Sequence, residues 1–450
     1  MAWQVTRQMY VSYPAPNASA VISCDYVGAP APGSGATGLR RQEVLTHQIH
    51  DDVYQDPQRR LSDDNGRTWS DWQPDVERQI VRGQEMWWQW EAGGLTPGCR
   101  DPESGLLVKA YMLRCFQGGD PRQVGLTKTT NYVFVATSAD DGLTWSPRQQ
   151  LKYEPGPDYG EDTRETPPFL ERNRCHYCNN IIAPRSGGVI LPVSSPASVI
   201  DEQGNAHAST YVRCFMGKWD KARQQYDWGV SAPITISRSQ SGYLEEPRLA
   251  ELADGRLLLD MRGTNGGRAF KKPGPWMSAP GRHWYALSSD GRRTWSDVSD
   301  WRYDTGETFY SPATMAKLLR HSRTGKLYWF GNISRGPTNG NVPRYPFYIA
   351  QVDESKPAIR KDTLTIIDDC GPSRDSPEVQ FSNFFVFENR ETGAFELYLS
   401  PYGQYGASKP GVYQADVCRY LITLEGDEQS PHQHQAGHGA ASQRPTEGSP

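Results

Sequence analysis

The sequence lacks the features that would place it in a membrane or on nucleic acid. Its 450 residues contain no apolar stretch long enough to cross a bilayer, so we expect no membrane span. The 48 Lys and Arg residues nearly balance the 52 Asp and Glu residues, and no block is rich in Lys or Arg. We therefore expect no nucleic-acid partner. The opening Met1-Ala2-Trp3-Gln4 also lacks a charged and then apolar export segment, which predicts a cytoplasmic protein, or a secreted one if the N-terminus is truncated.

Cysteine is also scarce. Eight cysteines are scattered along the chain, which excludes the dense disulfide framework of a small secreted domain. The segment Cys175-His176-Tyr177-Cys178 resembles half of a zinc site, but no second pair stands at a suitable spacing. We read most of the cysteines as small buried residues and expect neither a metal nor another cofactor.

Long runs of helix-forming residues are missing, whereas turn-forming and aromatic residues are plentiful, with 43 Gly, 34 Pro and 11% aromatics. This composition is typical of many short strands joined by turns. The pattern S-x-D-x-G-x-T-W occurs at residues 62–69 and 138–145, and again at 288–295 with its glycine one place early. In such a turn the Ser and Asp side-chain oxygens accept hydrogen bonds from backbone N–H groups, and the tryptophan packs into a core. The recurrence predicts repeated β units with Trp69, Trp145 and Trp295 on an outer rim, away from any central cavity.

A longer repeat sets the number of units. Segments in which a small residue precedes alternating apolar positions begin near residues 20, 105, 188, 255, 325 and 393, the last five roughly 70 to 80 residues apart. Six units that each supply a four-stranded sheet predict an all-β, six-bladed β-propeller. We expect a single propeller domain over residues 1–425. The Gly, Ser, Pro and His-rich residues 426–450 predict a disordered tail in which His432, His434 and His438 are solvated.

These turns and repeats resemble those of the sialidase superfamily, the Asp-box or BNR-repeat propellers, over nearly the whole chain apart from the tail. The resemblance implies a sialidase-like propeller. It says less about activity, because related propellers include glycosidases, lyases and non-enzymatic binders.

The strongest local match to that family runs from Glu246 to Arg262. It resembles the sialidase segment in which a glutamate and an arginine, on two strands joined by a tight Asp-Gly turn, point into the central cavity. The resemblance implies that Glu246 is a catalytic base and that Arg262 binds the substrate carboxylate, a task for which a planar guanidinium is suited. The alternative is a surface hairpin on which both side chains are solvated.

The resemblance also implies two further arginines that bind the carboxylate. Arg344 follows the strand 327–332 as the family's second arginine follows its own. Arg7 is the candidate for the third, although the Ile-Pro that accompanies that arginine in the family is absent here.

The acid/base aspartate of the family precedes the first Asp-box, and Asp51 and Asp52 occupy that place. His50 lies beside them and, together with His47, is an alternative acid/base group. The alternative to a catalytic role is a simple polar loop.

The nucleophile is where the sequence departs from the family. The catalytic tyrosine of sialidases corresponds here to Phe381, which cannot attack carbon. Three interpretations remain open. A phenol from Tyr398, Tyr402 or Tyr405 replaces it, or activated water attacks in an inverting reaction, or the propeller is not a sialidase.

Three functions follow from these alternatives. The first is a sialidase-like glycoside hydrolase of the exo-α-sialidase class that acts on a terminal acidic sugar. The second is a polysaccharide lyase that neutralises a uronate carboxylate with the same arginines and removes a proton with His50 or a tyrosine. The third is a non-catalytic carbohydrate-binding propeller, in which Trp87, Trp88 and Trp90 are either a sugar-stacking wall or a blade core. All three predict a glycan or acidic-sugar partner, and the sequence leaves the oligomeric state open.

Overall fold

The computed structural model describes residues 3–12, 18–28, 36–91, 98–126, 128–176, 181–200, 206–266, 278–290, 294–409 and 412–425. The predicted tail, residues 426–450, lies outside the described residues. Strands dominate, and the two α-helices among the described residues are single turns, α1 (Pro121–Val124) and α2 (Pro167–Leu170). Within these ranges no helix is long and apolar enough to cross a membrane.

Six antiparallel sheets form the six blades of a propeller, which confirms the predicted fold class. The first strand, β1 (Trp3–Val11), belongs to the last blade. Blade 1 then follows along the chain with β2 (Ser19–Tyr26), β3 (Arg41–His50), β4 (Val53–Ser62) and β5 (Gln73–Pro74). Blade 2 contains β6 (Val81–Arg82), β7 (Trp87–Trp90), β8 (Cys99–Arg100), β9 (Leu107–Gln117), β10 (Lys128–Ser138) and β11 (Gln149–Gln150).

Blades 3, 4 and 5 follow in chain order, and each is also an antiparallel sheet. Blade 3 contains β12 (Val189–Ile200), β13 (Ala206–Asp220) and β14 (Gln225–Val230), and isolated bridges at His176 and Ile182 line its inner edge. Blade 4 contains β15 (Glu245–Glu251), β16 (Leu257–Arg262), β17 (His283–Ser288) and β18 (Ser299–Asp300). Blade 5 contains β19 (Lys317–Arg320), β20 (Leu327–Asn332), β21 (Phe347–Asp353), β22 (Ala358–Ile359) and β23 (Thr365–Asp368).

Blade 6 closes the ring. It contains β24 (Phe384–Glu388), β25 (Phe395–Leu399) and β28 (Val417–Leu424), and a small hairpin, β26 (Ala407–Lys409) with β27 (Val412–Tyr413), precedes the last strand. β1 pairs with β28 from Trp3 opposite Leu424 to Val11 opposite Val417. The two ends of the propeller are therefore joined within one sheet, which removes the exposed edges that an open ring would have.

Alternation along the strands directs apolar side chains toward neighbouring blades. On β9, for example, Val108, Ala110 and Met112 face blade 3 and pack with Val189 and Leu191. Among the described residues, apolar clusters of this kind fill the junctions of blades 2 and 3, 3 and 4, 4 and 5, 5 and 6, and 6 and 1. These junctions hold the blades around a common centre.

The Ser-x-Asp turns at residues 62–69 and 138–145 form as their residues predict, and in the third the Thr294 N–H donates to Asp290 at 3.1 Å, while residues 291–293 lie outside the described residues. Asp140 accepts the Thr144 N–H at 2.9 Å, and Ser138 Oγ accepts the Gly142 N–H at 2.8 Å, while Gly142 has φ of 86°. The Thr144 hydrogen bonds hold the pKa of Asp140 at about 2. The turns connect β4 to β5, β10 to β11 and β17 to β18, which are the two outermost strands of their blades.

The preceding connection in each of these antiparallel blades, which joins the second outermost strand to its inner neighbour, lies at the opposite end. We call this the site end, and it includes the turn between β3 and β4. The tryptophans of the turns lie away from it. Trp69 packs against the junction of blades 6 and 1, Trp145 contacts Tyr111 edge-on, and Trp295 packs against the junction of blades 3 and 4.

Candidate functional site

Charged and polar side chains from all six blades converge at the site end and act on one another electrostatically. We call them the central cluster, and they are Asp51, Asp52, Glu91, Arg114, His176, Glu245, Glu246, Arg262, Arg344 and Tyr402.

A β-bulge at the start of β15 places two adjacent glutamates in the cluster. Glu245 lies opposite Arg262, but the next pair is Arg248 opposite Asp260, so β15 has one residue more than β16. Glu246 takes a left-handed φ of 47°, as an extra residue in a bulge can. Its Oε1 accepts a hydrogen bond from Arg262 Nη1 at 2.6 Å, and its backbone N–H donates to Ser194 Oγ at 3.1 Å. The structure thus brings Glu246 and Arg262 together, as the sequence predicts.

The two glutamates differ in charge. Burial by itself raises the pKa of Glu246, but the Arg262 guanidinium outweighs it, with further help from His176 and Arg344, and the pKa falls to about 2. Burial raises the pKa of Glu245 to about 7 against the opposing positive charge of Arg262, and the negative charges of Glu246 and Asp52 add to the rise. Neighbouring carboxyls whose pKa values are driven apart in this way are typical of acid/base sites.

Sequence reasoning missed Glu245. In a regular strand, neighbouring side chains point to opposite faces, so strand alternation predicts that only one of the two glutamates points into the cavity. The dipeptide Glu245-Glu246 was the available signal, but the bulge that brings both inward is not visible in it.

Arg344 is buried, and no carboxylate of the described residues is its hydrogen-bond partner. Its guanidinium donates to Gln380 Oε1 at 3.2 Å, Ser382 Oγ at 2.9 Å and the Ala313 carbonyl at 2.8 Å. All three acceptors are neutral, and no carboxylate of the described chain lies within ion-pair distance of it. Burial, together with the positive charge of Arg262, lowers the pKa of Arg344 to about 10, so it remains a cation at neutral pH. A buried cation held by neutral groups is suited to binding an anion.

Asp51 and Asp52 form the tight turn between β3 and β4, beside this arginine. Asp52 has φ of 54°, and its carbonyl accepts a hydrogen bond from Arg114 Nη1 at 2.6 Å. Asp51 is exposed, yet partial desolvation by the surrounding protein raises its pKa to about 6. The negative charge of Asp52 adds to the rise, and the positive charge of Arg344 opposes it. His50 ends β3, and its ring lies against Gly125, where a Cβ would be 3.4 Å from it.

Blades 2 and 3 contribute Glu91, Arg114 and His176, and the sequence predicted none of them as a member of this site. Arg114 lies 3.9 Å from the Glu91 carboxylate. Burial lowers the pKa of His176, and Arg114 lowers it further against the pull of Glu246. Of residues 175–178, Cys175 packs in the junction of blades 2 and 3, and Tyr177 and Cys178 lie outside the described residues. In the part of the chain that the structure describes, no three metal-binding side chains cluster.

The candidate nucleophiles lie in different places. Phe381 is fully buried in the junction of blades 5 and 6, while its neighbours Gln380 and Ser382 face Arg344. Tyr398 is buried in the junction of blades 6 and 1, and exposed Tyr405 donates to Asp416 at 3.2 Å.

Two other phenols reach the cluster. Tyr402 donates to Gln48 Oε1, and its pKa is raised by burial and by Asp52 and Asp51, against a hydrogen bond with Asn383. Tyr243, which sequence reasoning missed, accepts a hydrogen bond from Arg262 Nη2 at 3.2 Å. Burial raises its pKa as well.

Arg7 does not join the cluster, which corrects the sequence prediction. It lies on β1, the outermost strand of blade 6, where it forms an ion pair with Asp368 at 3.2 Å and donates to Tyr420. The missing Ile-Pro was the sign that this segment does not follow the sialidase pattern. Trp88 and Trp90 form part of the core of blade 2, with Trp90 edge-on to Phe134.

Comparisons with known proteins identify the fold. No protein-family model and no curated protein sequence matches this chain. Among solved structures, a protein of unknown function from Dyadobacter fermentans is similar at a TM-score of 0.53 and 13% identity, over 93% of this chain and 99% of that one. The NanB sialidase from Streptococcus pneumoniae is similar at a TM-score of 0.54 and 14% identity, over 94% of this chain and 71% of that one. At such identities the likeness establishes architecture and not activity. The chain is a six-bladed β-propeller with the sialidase-like fold.

Proposed function

We propose that this protein is a glycoside hydrolase that acts on a terminal acidic sugar, with the central cluster as its active site. The observation that carries the proposal is Arg344, a buried guanidinium bound only to neutral oxygens and placed beside carboxyl groups of contrasting pKa. A sugar carboxylate would supply the anion that Arg344 lacks. Arg262, bound to Glu246 and Tyr243, is the second cation of the clamp.

The carboxyl groups fit the two roles that glycoside hydrolysis needs. Asp51, with a pKa of about 6, holds a proton below that pH and donates it to the glycosidic oxygen as the bond to the anomeric carbon breaks. Glu246, with a pKa of about 2, stays ionised and stabilises the positive charge that develops on the sugar ring. Its Oε2 is buried and accepts no hydrogen bond from the described residues, so it is available to orient and deprotonate an attacking water.

One observation favours a second candidate, the polysaccharide lyase. Glu245, with a pKa of about 7, is half ionised near neutral pH, and Arg344 could neutralise a uronate carboxylate. A lyase needs this combination, because the base removes a proton next to a carboxylate whose charge is held by a cation. His50, the base that the sequence suggests, lies instead against Gly125.

A turnover assay separates the candidates. The protein is incubated with sialosides and with uronate polysaccharides, and both released sugar and the ultraviolet absorbance of an unsaturated product are followed. We expect released acidic sugar without new absorbance. Absorbance at a stoichiometry of one per cleaved bond supports the lyase, and no turnover of either substrate class contradicts both enzymatic functions.

A further inference from the structure

The junction of blades 1 and 2 differs from the other five. No apolar cluster of the described residues joins these two blades, and a cavity of about 520 Å³ lies between them instead. It opens near the exposed Leu143, in the Ser-x-Asp turn of blade 2, and is therefore remote from the site end. Its volume lies in the range of small-molecule binding sites.

Cations dominate the walls of this cleft. Five basic residues line it against two acidic ones, and they are Arg40, Arg59, Arg78, Lys109 and Arg148 against Asp25 and Glu77. Three of the arginines have a carboxylate partner, namely Arg40 with Asp63, Arg78 with Asp75, and Arg148 with Glu77. The remaining two cations, Lys109 and Arg59, have no ion pair within the described chain.

Lys109 is the more telling of these two. It lies half-buried on β9, on the face opposite the apolar residues that pack against blade 3. Its Nζ lies 5.5 Å from the Tyr111 ring and 5.8 Å from the Trp145 ring, so aromatic faces hold it in place of an anion. Burial, with the positive charge of Arg78, lowers the pKa of Lys109 to about 8 against the opposing charge of Asp25. The folded protein thus keeps a partly desolvated ammonium that an incoming anion would stabilise.

We propose that the cleft between blades 1 and 2 is a second binding site, for a saccharide that carries a carboxylate or sulfate group, with Lys109 as the residue that binds this group. The volume exceeds what a lone inorganic ion needs, and the hydroxyl of Tyr111 and the aromatic ring of Trp145 suit a sugar ring. The site is separate from the central cluster, so it stands whether or not the proposed hydrolase activity is found.

Titration calorimetry at low ionic strength tests this site. The probes are an oligogalacturonate for the carboxylate, a sulfated oligosaccharide for the sulfate, and a neutral maltotetraose as reference. We expect at least one anionic probe to bind and the neutral one not to bind, and the stronger of the two anionic probes identifies the source of the charge. We expect Lys109→Gln to weaken binding about tenfold, as loss of a charged hydrogen bond does.

The matched control is Lys356→Gln, an exposed lysine of blade 5, which should keep the wild-type affinity. If Lys109→Gln does not fold, as judged by circular dichroism, Arg59→Gln on the exposed wall of the cleft serves in its place and should weaken the same probe. Wild-type affinity in the folded Lys109→Gln protein places binding elsewhere and overturns the proposal, as does the absence of binding of both anionic probes at millimolar concentration.

Discussion

At the scale of single residues, the groups of the central cluster differ in whether a charged partner offsets the effect of desolvation on their own charge. Burial disfavours every charge, so the groups that stay charged are those with a partner, such as Glu246 on Arg262. Asp51 lacks such a bond and shifts toward its neutral form. Arg344 stays charged because a guanidinium has a high intrinsic pKa, even though its acceptors are neutral.

The pKa of Asp51 predicts the pH dependence of hydrolysis. The acid must be protonated, so kcat/KM falls as the pH rises through about 6. Glu246 stays ionised until the pH approaches about 2, so we expect no loss of kcat/KM on the acidic side above that pH. Asp51→Asn should reduce kcat at least about a hundredfold, the scale of a lost general acid. The remaining kcat/KM should no longer fall as the pH rises through about 6. If Glu245→Gln removes this fall and Asp51→Asn does not, the acid is Glu245.

The two phenols of the cluster predict the stereochemistry. Both keep their protons at neutral pH, because the pKa of Tyr243 and that of Tyr402 are raised, and Tyr402 donates its hydrogen bond to Gln48, which is not a base. We therefore expect water to attack, and proton NMR of the first-released anomer should show inversion. Retention, together with a fluorosugar adduct on a tyrosine, contradicts this route and restores the tyrosine nucleophile of sialidases.

At the scale of the elements, the Ser-x-Asp turns stabilise blades without contacting the central cluster. Asp140 has its pKa lowered to about 2 by the Thr144 hydrogen bonds, so its contribution is present above the ordinary pKa of an aspartate and is lost as the pH falls through about 2. Asp140→Ala should therefore lower Tm at pH 7 by about 1 to 3 °C and leave kcat/KM unchanged. The difference from wild type should shrink toward pH 2.

The exposed Asp71, which makes no such turn, provides the control for this variant. Asp71→Ala should leave Tm at its wild-type value. An equal loss in both variants would show that the turn contributes nothing specific.

The same elements show how far sequence reasoning reaches. Strand pattern and turn chemistry are local, so the repeats predicted six blades. The resemblance of the segment from Glu246 to Arg262 to the sialidase segment implied that both side chains point into the cavity, and the two are hydrogen-bonded. The bulge at Glu245 depends on how β15 meets β16 and on its neighbours, which no local pattern encodes. Arg114 and His176 were not predicted as members of the site, because only closure of the ring brings residues of different blades to the centre.

At the scale of the whole molecule, closure of the ring depends on β1. Trp3 packs edge-on against Tyr328 of blade 5 at 5.1 Å and lies 5.4 Å from Phe395 of blade 6. Trp3→Ala removes a buried aromatic side chain between two blades and should cost about 3 to 5 kcal/mol of unfolding free energy in denaturant titrations. Met9→Ala, at a position of the same strand that is 64% exposed, should cost less than about 0.5 kcal/mol. Equal costs for both would contradict a closing role for Trp3.

The central claim, that the cluster hydrolyses glycosides of an acidic sugar held by Arg344, is tested most directly by one ratio. It is kcat/KM for an acidic glycoside divided by kcat/KM for the neutral analogue in which the carboxylate is reduced to an alcohol. We predict a wild-type ratio of at least about ten, the scale of one bidentate charged bond, and a ratio near one for Arg344→Lys. The exposed Arg335, which pairs with Asp369, is the matched control, and Arg335→Lys should keep the wild-type ratio. A wild-type ratio near one, or a ratio that Arg344→Lys leaves unchanged in a folded protein, would contradict the account.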